Sequence, residues 1–222
     1  MGAVRRLPMF PLSAVLFPGA ELPLHIFETR YRELVDHCLA ADGAFGVVLI
    51  ARGSEVGGGD QRFAVATVAH IDAASRFDDG RWALLVTGKR RITVERWLDD
   101  APYPVAEVTD RDETTEPGGR TEGDSAGFER ALRAVRRVRT LMSELGSAAP
   151  VVADLGDRTG DDDEGARAWR LCEMAPLTAL DSQRLLEVDD TAGRLALLSE
   201  LCEALAGDLV LLLGRGPGPG DS

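Results

Sequence analysis

Apolar and polar positions follow two different rhythms along this chain, changing near residue 110. In the first stretch apolar residues come in short runs broken by turn chemistry. Leu7–Leu12 is an apolar run interrupted by Pro8 and Pro11, which forbids helix and leaves an extended segment. Phe17-Pro18-Gly19 reads as a turn. A helix is predicted over Phe27–Ala41. Phe27, Tyr31, Leu34, Val35, Cys38 and Leu39 fall on one face at helical spacing, with Glu28, Arg32, Glu33 and Asp36 largely opposite. Strands are predicted at Phe45–Ala51, Arg62–Ala73, Trp82–Thr87, Ile92–Leu98 and Tyr103–Thr109. The glycines at 57–59 separate the first two, and Asp79-Gly80 is a strong hairpin signal. Short strands at this spacing point to a small barrel or a strongly coiled sheet.

The charged, glycine-rich stretch Asp110–Asp124 reads as a solvated linker. From Ser125 the period is helical, with Phe128, Leu132, Val135, Met142 and Leu145 in one stripe. Three more helices are predicted, at about Glu164–Met174, Asp181–Val188 and Thr191–Leu213. Asp181 or Ser182 is the expected cap of the second, and Asp190 or Thr191 of the third. The pattern therefore gives an α+β chain: a β domain, a small barrel or a strongly coiled sheet, with one helix over residues 1–112, a linker over 113–124, a helical domain over 125–213, and a disordered tail over 214–222.

Charge narrows the class of partner. The chain has 25 basic against 37 acidic residues, a net charge of −12, which argues against a nucleic-acid backbone or an anionic membrane surface. The longest purely apolar runs, Val47–Ala51 and Leu209–Leu213, are far short of the roughly 18 residues that span a bilayer. Arg5-Arg6 is discounted as a secretion signal because Pro8 and Pro11 break the short apolar stretch after it, and Arg6 breaks the myristoylation pattern after Gly2. Cys38, Cys172 and Cys202 are too scattered for a disulfide framework, so a cytoplasmic protein with reduced, buried thiols is expected.

No catalytic signature stands out. The sequence lacks GxxxxGK[ST], GxSxG and HExxH, and Gly57–Gly59 has no helix after it to present to a phosphate. No metal or cofactor is expected, because His25, His37 and His70 lack ligand spacing and His25 reads as a local hydrogen-bonding residue. Cys38, beside His37, reads as a buried structural thiol. The acidic residues from Asp154 to Glu164 do not match the calcium-loop pattern and read as a solvated loop. Arg130, Arg133, Arg136, Arg137 and Arg139 crowd one helix and read as a solvated, carboxylate-paired face.

The N-terminal string is more specific. Leu7–Leu12, then Val15-Leu16-Phe17-Pro18-Gly19, then Leu22–Glu28 with Arg30-Tyr31, resembles the opening of the LON substrate-binding domain, the N-terminal domain of the ATP-dependent Lon proteases. Phe45–Val48, Val65–Ile71, Asp79–Arg81, Gly88 with Arg91, Pro102-Tyr103, Gln183–Glu187 and Gly193–Leu195 extend the resemblance over most of residues 5–213. Ile92 stands where the family usually has Phe, and should still point into the core. The resemblance implies a PUA-like β-barrel with a helical bundle attached. It implies a recognition domain without the ATPase and protease domains of a full Lon protease, and so no enzyme. The implied partner is an unfolded or extended polypeptide, or a protein partner in regulated proteolysis, with room for a weak homo-oligomer. Phe10, Leu12, Phe17, Pro18, Leu24 and Phe27 are the candidate peptide-binding residues, since exposed apolar surface is how such binding is achieved. Glu28 and Arg91 are the expected ion pair tying the first helix to the barrel. An RNA or small-ligand binder is the alternative that PUA-like barrels suggest. The charge disfavours RNA, and the lack of a nucleophile–base set disfavours a hydrolase.

Overall fold

The computed structural model describes residues 3–52, 61–114, 122–146 and 164–214. The chain divides into two compact units, one of residues 1–112 with Ser182–Glu187, the other of Glu113–Asp181 with 188–222.

The first unit is a closed sheet. Its elements are β1 (Arg5–Leu12), β2 (Glu21–Ile26), α1 (Thr29–Ala40), β3 (Ala44–Arg52), β4 (Gln61–Arg62), β5 (Val65–Arg76), β6 (Trp82–Trp97) and β7 (Val105–Asp110). Neighbours run β1-β7-β6-β5-β3, and β3 returns to β1 to complete the ring. That last pairing is parallel, Met9 to Leu12 against Gly46 to Leu49, and the others are antiparallel. The two-residue period of each strand sends Leu7, Met9, Val48, Ala66, Val68, Ile92, Ala106 and Val108 inward as the core. Ile92 is fully buried, in keeping with its apolar character.

Two features depart from the pattern. Trp82–Thr87 and Ile92–Leu98 are parts of a single strand, β6, because its partner β5 runs unbroken from Val65 to Arg76. Bulges at Lys89 of β6, opposite Val68/Ala69, and at Asp72 of β5, between Ile71 and Ala73, absorb the bend, so the polar Gly88–Arg91 stretch continues the ladder instead of turning. The segment Glu21–Ile26 is also a strand, pairing with Trp82 to Thr87 of β6.

Ser182–Glu187 belongs with the strands, although its helical pattern groups it with the later helices. It is most of α4 (Ala179–Glu187). The last carbonyls of a helix lack intrahelical donors. Here Arg91 Nη1 donates to Leu186 O at 2.9 Å and Arg111 Nη2 to Glu187 O at 3.0 Å. Buried Gln183 donates from Nε2 to Val65 O at 3.1 Å and to Glu187 Oε1 at 2.9 Å.

The second unit contains α2 (Glu122–Glu144), α3 (Glu164–Met174) and α5 (Thr191–Gly214). Phe128, Leu132, Val135 and Val138 of α2 are buried, as are Trp169 and Leu171 of α3 and Leu195, Leu198 and Cys202 of α5. The predicted α2 stripe fades at its end, where Met142 is half-buried and Leu145 exposed. Asp190 caps α5 by accepting from Gly193 N at 2.6 Å. Thr178 caps α4, one turn earlier than expected: Asp181 N donates to its Oγ1 at 3.2 Å, and Oγ1 donates to Asp181 Oδ2 at 2.7 Å.

The start of the expected linker is tied down. Asp110 lies 2.9 Å from Arg5 and 3.0 Å from Arg90. Glu113 accepts from Arg194, a fully buried arginine stacked 3.5 Å from the Trp169 ring, at 2.8 and 2.9 Å. Residues 122–124 already belong to α2, and the middle of the linker, the glycines at 57–59, most of the acidic loop and the tail lie outside the described residues. No described helix is long and apolar enough to cross a membrane.

Gly88 explains why this strand can approach its neighbour so closely. A Cβ there would collide with the backbone carbonyl of Phe17, while Gly88 N donates to Ala20 O at 2.9 Å and Gly19 N to Gly88 O at 2.8 Å. Backbone cannot yield as a flexible side chain would. Gly88→Ala should therefore lower unfolding stability by about 2 kcal/mol, read as a reduced denaturant midpoint at unchanged m. A loss within experimental error would remove this account of the contact.

Candidate functional site

One cleft gathers most of the candidate residues. It holds about 210 Å³ and lies between the end of β1, β2 and the start of α1. Phe10, Pro11 and Leu12 come from β1, Pro23 to Ile26 from β2, and Phe27, Glu28 and Tyr31 from the entry to α1. The walls are mostly apolar. Phe10 packs at 4.3 Å on Tyr31 and at 6.2 Å on Phe45, which fixes the floor. Glu28 accepts from Arg30 Nε at 3.0 Å, and that guanidinium sits 4.4 Å over the Tyr31 ring. No lysine or arginine is among the described residues that line the cleft.

Of the six candidate peptide-binding residues, the fold brings Phe10, Leu12, Leu24 and Phe27 together at this cleft. Phe10 and Leu24 are buried in its walls, Leu12 is half-buried, and Phe27 is 58% exposed at the rim. Helical spacing puts Phe27 on the inner face of the first helix, but the structure does not. It stands outside because α1 begins only at Thr29, after the extended N-cap Glu28, so helical spacing does not govern it. Leu39 is likewise 42% exposed. Phe17 and Pro18 do not line the cleft, and Phe17 is buried against β6 through its carbonyl. Tyr31 lines the cleft, although its spacing marks it only as a helix-core residue. Its place one turn into α1, facing Phe10, is the signal available.

The expected Glu28–Arg91 pair is overturned. Glu28 pairs with Arg30, whereas Arg91 is 2% exposed and reaches Leu186 O and, at 3.4 Å, Asp112 O. His25 stacks 6.2 Å from Phe77, itself 44% exposed, beside the cleft.

The remaining chemistry is elsewhere. A second hollow of about 210 Å³ includes Arg5, Arg6, His37, Cys38 and Arg90. Its arginines are engaged, Arg5 and Arg90 by Asp110 and Arg6 by Glu107 at 3.7 Å. Among the described residues no group of three His, Cys, Asp or Glu is placed to hold a metal ion. Burial pushes the thiols of Cys38 and Cys172 up to about 12 and that of Cys202 up to about 11, so none is an activated nucleophile. On α2, Arg130, Arg133, Arg136 and Arg137 are exposed, while Arg139 is half-buried and donates to Met174 O at 3.0 Å.

The comparisons with known proteins agree with this architecture. The family model described as the ATP-dependent protease La (LON) substrate-binding domain matches residues 6–204. "Lon protease 2" of Myxococcus xanthus is 28% identical over 88% of this chain, and a Lon protease of Cytophaga hutchinsonii is 27% identical over 89%. The chain spans about a quarter of the length of these relatives, 23% and 24% respectively. The Lon N-terminal domain protein from Xanthomonas campestris superposes with a TM-score of 0.61 at 30% identity, covering 87% of this chain and 96% of that one. The N-terminal domain of Mycobacterium avium complex Lon protease shares the fold, with a TM-score of 0.58 at 17% identity over 90% of this chain and 98% of its own.

Two measurements check the local chemistry. Arg91→Ala strips the donor from the buried Leu186 carbonyl and should cost about 3 kcal/mol, whereas Glu28→Ala should cost less than about 1 kcal/mol. The two should add in the double variant, since they share no partner; a coupling beyond about 1 kcal/mol would restore the direct pair. The thiols set a pH dependence. Their folded pKa values lie above the ordinary value of 9.0, so the unfolded chain releases these protons first as pH rises. The thiols' contribution to stability is therefore full below pH 9.0 and should fall between there and pH 11, by about 1.4 kcal/mol per pH unit for each thiol. Urea titrations of the wild type and of a triple Cys→Ala variant at pH 8 and 10.5 would separate this from other alkaline effects.

Proposed function

Because the chain belongs to the family of the ATP-dependent protease La (LON) substrate-binding domain, we propose that it is a non-catalytic module that recognises unfolded or extended polypeptide through the cleft between β1, β2 and α1. The single observation that carries this reading is the composition of the cleft. Apolar walls from Phe10, Leu12, Leu24 and Tyr31 open to solvent past an exposed Phe27. A folded protein hides such side chains, and a chain that has lost its fold presents them, so the cleft discriminates by chemistry that unfolding alone reveals. RNA is disfavoured by the net charge of −12 and by a cleft without basic lining. A module that holds exposed polypeptide suits an adaptor or regulator of proteolysis.

Fluorescence anisotropy against α-lactalbumin tests the reading. The reduced, carboxymethylated and permanently unfolded form should bind, and the native form should not. Phe27→Ser should weaken binding about tenfold, because burying a phenyl ring is worth about 1.5–3 kcal/mol. It should leave stability within about 0.5 kcal/mol, since Phe27 is exposed. Equal binding of both forms, or binding indifferent to Phe27, would remove the cleft from this role.

A further inference from the structure

The shape of the cleft points to how a polypeptide would be held. Successive residues of a strand point to opposite faces, so a hollow lying over one face of a sheet touches every second residue. This cleft touches Pro23, Leu24, His25 and Ile26 in succession, and Phe10, Pro11 and Leu12 likewise. It therefore runs along strand edges, where the backbone itself is accessible.

The edge of β2 is open. Among the described strands β2 pairs with β6 alone. Outside that ladder, no described backbone–backbone hydrogen bond uses residues 21–27. Two facts set the phase of the ladder. Gly88 N donates to Ala20 O at 2.9 Å, which turns Ala20, and with it Leu22, Leu24 and Ile26, toward β6. Pro23 has no amide to donate and fits the opposite phase, on an edge strand with its nitrogen turned outward. The outward set is thus Glu21, Pro23 and His25, which offers the amides of Glu21 and His25 and three carbonyls.

We propose that the cleft takes its polypeptide by strand addition. An extended segment pairs backbone to backbone with the free edge of β2, and its alternate apolar side chains settle against Phe10, Leu12, Leu24 and Tyr31. This rests on the cleft being a polypeptide-binding site. The occupant is an extended apolar segment because both kinds of surface are used at once. An open edge satisfies backbone groups of any sequence, and the apolar walls select for hydrophobic side chains. A cleft of about 210 Å³ has room for one or two side chains of such a segment. Recognition of this kind reads exposed backbone as well as exposed apolar residues, two features that unfolding produces together.

The experiment uses the full chain and a short synthetic peptide with leucine at alternate positions and serine or lysine between. Two derivatives keep every side chain and carry N-methyl groups on one alternating set of amides or on the other. Only one alternating set of amides can face β2, and loss of binding by both derivatives would bring the unladdered end of β1 into the pairing and overturn addition to β2 alone. One derivative should lose about tenfold or more in affinity and the other should bind like the parent. Amide exchange read by NMR on the labelled protein should slow at Glu21 and His25 when the parent peptide is added. Equal binding of all three peptides, or unchanged exchange at both amides with the parent bound, would overturn strand addition and leave polypeptide binding standing. Failure of both the parent peptide and carboxymethylated α-lactalbumin to bind would overturn the polypeptide reading itself. Protection of the two amides that rises with protein concentration alone would assign the edge to a second copy and overturn the proposed occupant.

Discussion

The barrel depends on one strand pairing in two directions. Residues 5–8 of β1 run antiparallel to β7, and residues 9–12 run parallel to β3. The ring closes through that change of partner, and the interior residues Leu7 and Met9 sit on either side of it. It also explains how a strand with two prolines can belong to a closed sheet. Each half of β1 has a ladder on one edge, so an amide-less residue can turn its nitrogen to the edge that carries none. Pro8 stands opposite Val105 in the β7 ladder and Pro11 opposite Val48 in the β3 ladder. The cost of this arrangement is an incomplete edge at the end of β1, and the cleft begins there.

The same need to satisfy backbone groups governs the end of α4. Its final carbonyls lack intrahelical donors, and the guanidinium groups of Arg91 and Arg111 donate to them. Arg91 is buried, and its long side chain carries a charge-assisted donor to the Leu186 carbonyl. In the second unit Arg194 plays a comparable part, with Glu113, Val188 O and the face of Trp169 as its partners. Buried arginines here are structural, and the exposed ones of α2 lie on a face whose opposite side carries Phe128, Val135 and Val138. The cleft is mostly apolar although the chain is strongly acidic.

Much of this was legible in the residues themselves. Periodicity located α1, α3 and α5 and most strands, because a helix or strand with one buried face must repeat its apolar positions at that element's own period. The N-terminal string identified the family, and four of the six candidate residues in it meet at the cleft. Asp190 could be read as a cap because capping is a contact within one turn. The opaque parts were those in which distant segments decide. The continuity of β6 through Gly88–Arg91 is imposed by β5 across the ladder, against a local composition that favours a turn. The partner of Arg91 lies 95 positions away along the chain, beyond the reach of any spacing rule.

What the sequence alone determined was the inventory: which segments bury a face and where prolines forbid helix. Those properties depend on neighbours within a few residues, so local pattern contains them. Tertiary structure decided which edges stay open. Phe10, Phe17, Leu24 and Phe27 look alike in sequence, but three line a cleft while Phe17 is buried against Gly88, and only Phe27 faces solvent. Exposure is set by whichever strand or helix comes to lie alongside, and pairing energy between segments far apart in the chain makes that choice.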